Sequence, residues 1–306
     1  MFRRETSIRG KIARNIITSV TSNRLIGKKI QRGEHLTKIV ELQWKCPKGY
    51  EHELIVRDQF VLEFLKREGL NPQKVILQLH GGGYIAKLRN VHRNMAKLYS
   101  ESGNGISVLT PDYRVAPEHP YPAALEDALS SYHWLLENGY TENQIIVAGD
   151  SAGGGLAMAL CLYLKAHDKA LPCALIAMSP WTDMTASGKS YDFNYERDPL
   201  FGNTTDSVLY NRDYVGDESE EKPYVSPLFG DFYGFPPMLI QVGSFEMLLS
   251  DSIAVAKKAK DSGVKVNFHV YEGMFHDFQM AGEFIPESKE AWLEVGAFIE
   301  MVSGTR

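Results

Sequence analysis

The sequence has little cysteine and no long hydrophobic run. Its 306 residues include only three cysteines, which show neither CxxC nor metal-ligand spacing. Sparse, unpatterned cysteines are typical of reduced thiols in a cytoplasmic protein rather than of a disulfide framework, and we expect no metal site. Because no apolar run is long enough to span a bilayer, we also expect no stable membrane insertion. The three cysteines are Cys46, Cys161 and Cys173.

The chain also lacks an excess of positive charge. The formal net charge is −5, and no basic stripe occurs outside the first thirty residues. Because binding to a nucleic-acid backbone needs such a stripe, we expect no nucleic-acid partner. A hydrophobic content of 44% and a length of 306 residues are instead typical of a globular protein with one large domain and a smaller appendage, or of one with at most two ordinary domains.

The N-terminal segment is the exception to this charge balance. Apolar residues recur at every fourth position, at Ile8, Ile12, Ile16 and Val20, with arginines and lysines between them. This spacing predicts an amphipathic basic helix, which lacks the continuous apolar core of a secretory signal. We favour a helix that packs on the domain with its charges outward. Contact with a membrane surface and an organellar transit sequence are the alternatives.

From about residue 72, short β-branched runs alternate with longer helical patterns. Strands that are almost continuously apolar and separated by helices indicate a parallel sheet that is buried on both faces. We therefore predict an α/β fold with a mostly parallel central sheet flanked by helices. The predicted strands are Val75–Leu79, Ile106–Thr110, Ile145–Ala148, Cys173–Met178, Met238–Val242 and Val264–Val270.

Two stretches interrupt this alternation. One is the N-terminal arm, and the other is a long, polar, tyrosine-rich stretch at about 184–225 with one helical patch near Thr204–Tyr214. Connections of this length in a compact fold usually cover a functional site. We predict a helical cap built from residues 1–45 and about 184–225, and a main domain over residues 46–306.

Two further strands are predicted between the arm and the alternating region. His35–Trp44 and Glu51–Arg57 are expected to form an antiparallel pair that turns at Pro47–Gly49. The next run, Phe60–Arg67, fits a strand and a helix equally well.

A GDSAG segment, residues 149–153, lies directly between the apolar strand at 145–148 and a small-residue helix. A serine at such a turn leaves little room at the flanking positions, so glycine stands on both sides. The turn exposes the hydroxyl at the carboxyl edge of the sheet, and the helix start directs amide donors towards it. This context predicts that Ser151 is a nucleophile. Without it, a glycine-rich turn with a chance serine fits the five letters equally well.

A second glycine-rich segment, HGGGY at residues 80–84, follows the strand Val75–Leu79. Acyl transfer builds negative charge on a carbonyl oxygen, and backbone N–H groups with no Cβ in the way can stabilise it. We assign the amides of Gly82, Gly83 and Ala152 to this oxyanion hole, the last because it follows the nucleophile. A phosphate-binding loop is the alternative, but no Gly-Lys-Ser/Thr follows.

Together with these two motifs, the segment DYRVAPEHPYPAA at residues 112–124 resembles the bacterial hormone-sensitive lipase family of esterases. The similarity runs from about Tyr50 to the C-terminus, and this long segment is its most diagnostic part. The resemblance implies an α/β-hydrolase fold with a helical cap and hydrolysis of carboxylic esters, often with short acyl chains. It implies no cofactor, and it is compatible with a homodimer.

The resemblance also selects the general base. In the chain order serine, acid, histidine, the base follows the last strand. His276 lies just beyond Val264–Val270 and matches the histidine of the family, whereas His269 lies within that strand. We therefore predict that His276 is the general base.

A glutamate stands where the family often has an aspartate. After the strand Met238–Val242, this chain has Glu-Met-Leu from Glu246 at the place of the family's Asp-Pro-Leu. We predict that Glu246 orients His276, a departure that the serine–acid–histidine order allows. Asp251 is the alternative, but its place at the start of a helix favours a capping role. Tyr84, beside the oxyanion loop, is predicted to line the substrate pocket.

These residues predict a serine carboxylesterase that acts on a small-molecule ester of short to medium acyl chain length. Two alternatives remain. One is a small-molecule receptor on the same scaffold that has lost its base, and the histidine at position 276 argues against it. The other is an amide hydrolase of the arylacetamide or formamide type, which uses the same tetrahedral intermediate as an esterase.

Overall fold

The computed structural model describes residues 2–3, 5–22, 28–29 and 41–304. The strands are β1 Phe2–Arg3, β2 Tyr50–Val56, β3 Val61–Arg67, β4 Val75–Leu79, β5 Ser107–Asp112, β6 Ile145–Asp150, β7 Ala174–Met178, β8 Met238–Gly243 and β9 Val266–Tyr271. They form one sheet in the order β1-β9-β8-β7-β6-β4-β5-β3-β2. The seven strands from β1 to β5 in this order pair in parallel. Strand β3 pairs antiparallel with both of its neighbours, β5 and β2.

Helices cover both faces of this sheet. They are α1 Ile8–Thr21, α2 Asn90–Ser102, α3 Ala123–Glu137, α4 Ser151–Ala166, α5 Ser190–Phe193, α6 Leu249–Asp261 and α7 Pro286–Ser303. Successive strand residues point to opposite faces, so Ile146 packs with Tyr99 and Trp292 of α2 and α7, whereas Val147 packs with Leu156 of α4. Helices α3 and α6 lie on the same face as α4. The predicted α/β fold with a mostly parallel sheet is confirmed.

The start of the sheet differs from the sequence prediction. Strand β2 pairs antiparallel with β3 along its whole length. Residues 41–47 form no strand, and residues 35–40 lie outside the described chain. Only residues 57–60 separate the two strands, and the Arg57 N–H donates to the Phe60 carbonyl at 2.9 Å, so a short loop closes a hairpin. The predicted pairing of His35–Trp44 with Glu51–Arg57 is therefore wrong, and the ambiguous run after it is a strand.

Helix α1 is anchored to the main domain through one face. The Ser7 hydroxyl accepts the N–H of Gly10 at 3.0 Å, which caps the helix, and donates to Glu287 of α7 at 2.9 Å. Ala13 and Ile17 pack against a buried cluster that begins at the last residue of β9 and contains three aromatic side chains. Within the part of the chain that the structure describes, no helix is both long enough and apolar enough to cross a membrane.

The stretch at 184–225 contains little regular structure. The predicted helical patch at Thr204–Tyr214 is reduced to a single 3-10 turn at Val208–Tyr210. Just beyond it, the side-chain oxygen of Asn211 accepts the N–H of Asp213 at 2.6 Å. Such local side-chain bonds to the backbone compete with helical hydrogen bonds, and they account for the early end of the turn.

Candidate active site

Ser151 stands at a sharp turn between β6 and α4. Its backbone is left-handed, with φ of +52°. The two flanking positions have no room for a side chain. A Cβ on Gly149 would lie 2.2 Å from the Gly153 oxygen, and one on Gly153 would lie 2.0 Å from the Leu79 oxygen. Helix α4 therefore packs directly against the ends of β4 and β6 and holds the serine at the sheet's carboxyl edge. In the first turn of α4, the N–H of Ala152 has no helical partner to bind.

The loop after β4 brings further backbone amides to the serine. Gly82 and Gly83 have φ of +117° and +63°, conformations that residues with a Cβ rarely adopt. The carboxylate of Asp150 accepts the N–H of Gly81 at 2.9 Å and ties this loop to the residue before Ser151. Among the described residues, the amides of Gly82 and Gly83 donate no backbone hydrogen bond, so both are available to an oxyanion.

His276, in the loop after β9, is held by Glu246 from the loop after β8. Its Nδ1 lies 3.0 Å from Glu246 Oε2, and both side chains are buried. The other carboxylate oxygen, Oε1, accepts the Ser179 hydroxyl at 2.8 Å and the Gly243 N–H at 2.5 Å. Burial raises the pKa of Glu246, although the hydrogen bond with His276 opposes that shift. The fixed carboxylate favours the tautomer in which Nδ1 carries the proton and Nε2 can accept one.

A second carboxylate faces that other nitrogen. Asp277 has a left-handed backbone, with φ of +51°, and its Oδ2 lies 3.1 Å from Nε2 of His276. Burial lowers the pKa of His276, but the charge and hydrogen bond of Asp277, together with those of Glu246, raise it well above its usual value. In the described chain, the Ser151 hydroxyl makes no hydrogen bond to His276, whose Nε2 faces Asp277 instead.

We expect the D277N variant to shift the acid limb of the pH–activity profile to lower pH. A general base works only when neutral, so activity is lost as pH falls through the pKa of His276. Asparagine keeps the shape of Asp277 but removes the charge that favours the imidazolium, and the pKa of His276 falls as a result. The measurement is kcat/KM for a water-soluble p-nitrophenyl ester across the acidic and neutral range. An exposed carboxylate, Asp213, supplies the control: D213N should leave the limb in place, and an unmoved limb in D277N would contradict the expectation.

Ser151, His276, Gly82 and Gly83 line one cavity of about 200 Å³. Its walls are mainly apolar, and the ring of Phe201 lies edge-on to the imidazole with 4.7 Å between ring centroids. In the described chain, no group of three or more His, Cys, Asp or Glu side chains could hold a metal ion. The remaining apolar wall residues are Val91, Trp181, Leu200, Val208, Leu209 and Met280.

Asp251, the alternative candidate for the residue that orients His276, forms its hydrogen bonds away from the imidazole. It is the third residue of α6, and its Oδ2 accepts the N–H groups of Thr182 and Asp183, both at 2.9 Å. Burial raises the pKa of Asp251 to about 8. The Asp251 side chain thus caps the segment that leaves β7, and not the start of its own helix as the sequence suggested.

Tyr84 is not among the residues that line the cavity. Its side chain is buried, and its ring stacks on that of Tyr214 at a centroid distance of 3.7 Å with 7° between the planes. Its carbonyl oxygen accepts the N–H of Ala116 at 2.9 Å. The ring therefore packs the stretch at 184–225 onto the main domain, and the structure does not bring it to Ser151.

Three residues of the site were missed in the sequence. Asp277 adjoins His276 in the chain, and a carboxylate next to a candidate base was a readable signal. Ser179 follows β7 directly, so its place at the same sheet edge follows once the strand order is known. Phe201 lies in a stretch with no periodicity and gave no signal.

Comparison of the sequence and the fold with known proteins identifies the family of this chain. Residues 76–280 match the family model of the alpha/beta hydrolase fold. An esterase of Acinetobacter venetianus is 39% identical over 226 residues, which are 74% of each chain. An acetyl-hydrolase of Streptomyces hygroscopicus is 36% identical over 231 residues, or 76% of this chain and 77% of that one. The crystal structure of an esterase from the bacterial hormone-sensitive lipase family matches with a TM-score of 0.85 at 31% identity and covers 98% of this chain and 100% of that one. The chain belongs to this family.

Membership of the hormone-sensitive lipase family confirms the resemblance that the sequence motifs predicted, and with it the α/β-hydrolase fold. The chain is a carboxylic ester hydrolase. The alternative of a receptor without catalytic activity is therefore not supported.

Proposed function

We propose that this family member hydrolyses short- to medium-chain acyl esters through a covalent acyl-enzyme on Ser151. The observation that carries the proposal is that Ser151, His276 and two glycines of the oxyanion loop border one small cavity. Behind the imidazole, Glu246 Oε2 lies 3.0 Å from Nδ1. A nucleophile, a base, an orienting carboxylate and oxyanion donors are the parts that acyl transfer requires.

In the acylation half of the reaction, Nε2 of His276 leaves Asp277 and accepts the proton of Ser151 while the serine oxygen attacks the ester carbonyl. Glu246 stabilises the imidazolium that forms. The imidazolium then gives its proton to the alcohol oxygen as the carbon–oxygen bond of the ester breaks. The acyl group stays on the serine, and the alcohol leaves.

The oxyanion of the tetrahedral intermediate is held by the amides of Gly82, Gly83 and Ala152. Loss of one such donor typically costs about 2.7–4 kcal/mol of transition-state stabilisation. In the second half, His276 takes a proton from water, the resulting hydroxide attacks the acyl-enzyme, and the imidazolium returns the proton to Ser151 as the acid leaves.

The size of the cavity supports a preference for short acyl chains. Its volume of about 200 Å³ lies below the ~300–1,000 Å³ of pockets for drug-sized ligands. We expect kcat/KM for p-nitrophenyl acetate and butyrate to exceed that for the palmitate by about 100-fold, because a long chain has to displace the packed walls. L209A, which shortens a wall residue, should move the optimum to longer chains. L54A, on an exposed residue of β2, should not. Equal rates along the series would contradict the proposed preference.

The same acyl series presented as p-nitroanilides tests the amide alternative. An esterase should hydrolyse the anilides far more slowly than the esters, because the amine is the poorer leaving group. Labelling with a fluorophosphonate, followed by mass spectrometry of the modified peptide, tests the nucleophile directly. We expect the label on Ser151, and a label on any other residue would overturn the proposed mechanism.

We also propose that residues 1–45 and 184–225 act together as a cap on the main domain, residues 46–306. Side chains of the second segment form part of the cavity wall. The first segment reaches the loop that carries the base, where the guanidinium of Arg14 donates to the Gly273 carbonyl at 2.8 Å. The three free cysteines support a cytoplasmic location, and the proposed partner is a small-molecule ester.

A further inference from the structure

One face of α1 is apolar and exposed. Ile8, Ile12, Ile16 and Val20 expose 77%, 53%, 59% and 43% of their surfaces, respectively. We call these four residues the apolar stripe. Residues four apart stand above one another on a helix, so the four side chains form one continuous band over the whole length of α1. Exposed apolar bands of this kind mark interaction surfaces.

Positive charge accompanies the apolar stripe. The exposed side chains of Arg9 and Lys11 belong to the same helix. Residues 1–30 contain eight lysines and arginines and one acid, Glu5, so this segment carries a formal charge of +7 while the whole chain carries −5. The segment that carries the apolar stripe therefore has a net positive charge, whereas residues 31–306 carry a formal charge of −12.

We propose that α1 docks reversibly on an anionic lipid bilayer, with the apolar stripe at the acyl boundary and Arg9 and Lys11 at the headgroups. An amphipathic helix with exposed aliphatic side chains and flanking cations binds in the plane of such an interface. A second copy of the chain fits the surface poorly, because two docked α1 helices would bring two segments of charge +7 together.

The packed side of α1, opposite the apolar stripe, contacts the loop that carries the proposed base. The Thr6 hydroxyl donates to the Glu272 carbonyl at 2.8 Å, and Arg14 donates to the Gly273 carbonyl at 2.8 Å. Both acceptors lie in the turn between β9 and His276. Docking through α1 therefore places the part of the molecule that carries this loop near the surface in which esters with acyl chains accumulate. Docking itself is independent of the proposed serine mechanism.

Flotation of the full chain with lipid vesicles tests the proposal. We expect the protein to float with vesicles of phosphatidylcholine and phosphatidylglycerol, and about tenfold less with phosphatidylcholine alone. I12D/I16D puts two carboxylates into the apolar stripe and should weaken binding by about tenfold or more. L54D/V56D makes the same change at two residues of β2 that are 60% and 80% exposed, and should leave binding unchanged. R9Q/K11Q should weaken binding and flatten its salt dependence.

Every variant alters exposed residues, so the melting temperature and the hydrolysis of p-nitrophenyl acetate should stay at the wild-type values. The proposal is overturned if the wild-type protein does not float with the anionic vesicles, or if L54D/V56D loses binding as much as I12D/I16D. It is also overturned if sedimentation shows a wild-type dimer that I12D/I16D dissociates and that does not float, since the apolar stripe would then be a dimer interface.

Discussion

The S151A variant is expected to lose about 10⁴- to 10⁶-fold in kcat/KM for p-nitrophenyl acetate and to keep its fold. Alanine removes only the attacking oxygen. The hydrogen bond from the Trp181 N–H to the carbonyl of residue 151, at 2.9 Å, stays in place, and so does the left-handed backbone. Residual hydrolysis should come from the oxyanion amides and from substrate binding. The measurements are steady-state kinetics and the loss of fluorophosphonate labelling.

A buried serine outside the site supplies the matched control for S151A. Ser100 in α2 is fully buried, and its hydroxyl has no hydrogen-bond partner in the described chain. S100A therefore removes an oxygen that stabilises nothing, and we expect wild-type kinetics and an unchanged melting temperature. If S151A retained activity within tenfold of the wild type, or if S100A were equally impaired, Ser151 would not be the nucleophile.

The second large effect is expected for E246Q, with a loss of about 10³- to 10⁴-fold in kcat/KM. Oε2 of Glu246 faces the N–H at Nδ1 of His276, and Oε1 faces two donors, from Ser179 and Gly243. Glutamine has only one oxygen, so its NH₂ group has to face a donor at one of these two positions. The imidazole then loses its oriented tautomer, whereas the shape of the site is kept. The variant should fold, and its kcat should fall more than its KM rises.

D251N separates the two candidate acids. Because the pKa of Asp251 is about 8, this carboxyl is largely protonated near neutral pH, and asparagine keeps an oxygen for the N–H groups of Thr182 and Asp183. We expect kcat/KM within about threefold of the wild type, because the side chain of Asp251 bonds to the segment after β7 and not to His276. Full activity in E246Q together with a large loss in D251N would move the orienting role to Asp251.

The parallel half of the fold could be predicted because its strands are buried on both faces. Ile145–Ala148 is apolar throughout, and Val75–Leu79 has one polar residue, Gln78. Such nearly continuous apolar runs, separated by helices, indicate a buried parallel sheet. The site residues at the carboxyl ends of these strands could be located for the same reason. A glycine on either side of Ser151 reflects contacts of 2.2 Å and 2.0 Å that a Cβ would make, a constraint that is visible in the letters.

The remainder depends on contacts that no local pattern records. The pairing of β2 with β3 was missed because Glu51–Arg57 has three polar residues followed by three apolar ones, and such a run does not specify which neighbour it joins. The position of Tyr84 is set by Tyr214, a residue far along the chain. The approach of Asp277 to Nε2 of His276 requires a positive φ, which a non-glycine residue seldom adopts and which the sequence does not announce.

Two kinds of element build the site. One kind carries the groups of the proposed chemistry, and the other borders the acyl group. Ser151, Glu246 and His276 follow strands of the buried sheet, whereas Leu200, Phe201, Val208 and Leu209 belong to a stretch with little regular structure. Substitutions in that stretch can therefore accumulate without a change in the sheet that positions the reacting atoms. Among relatives that share this sheet, the range of accepted acyl groups should diverge much faster than the reaction itself.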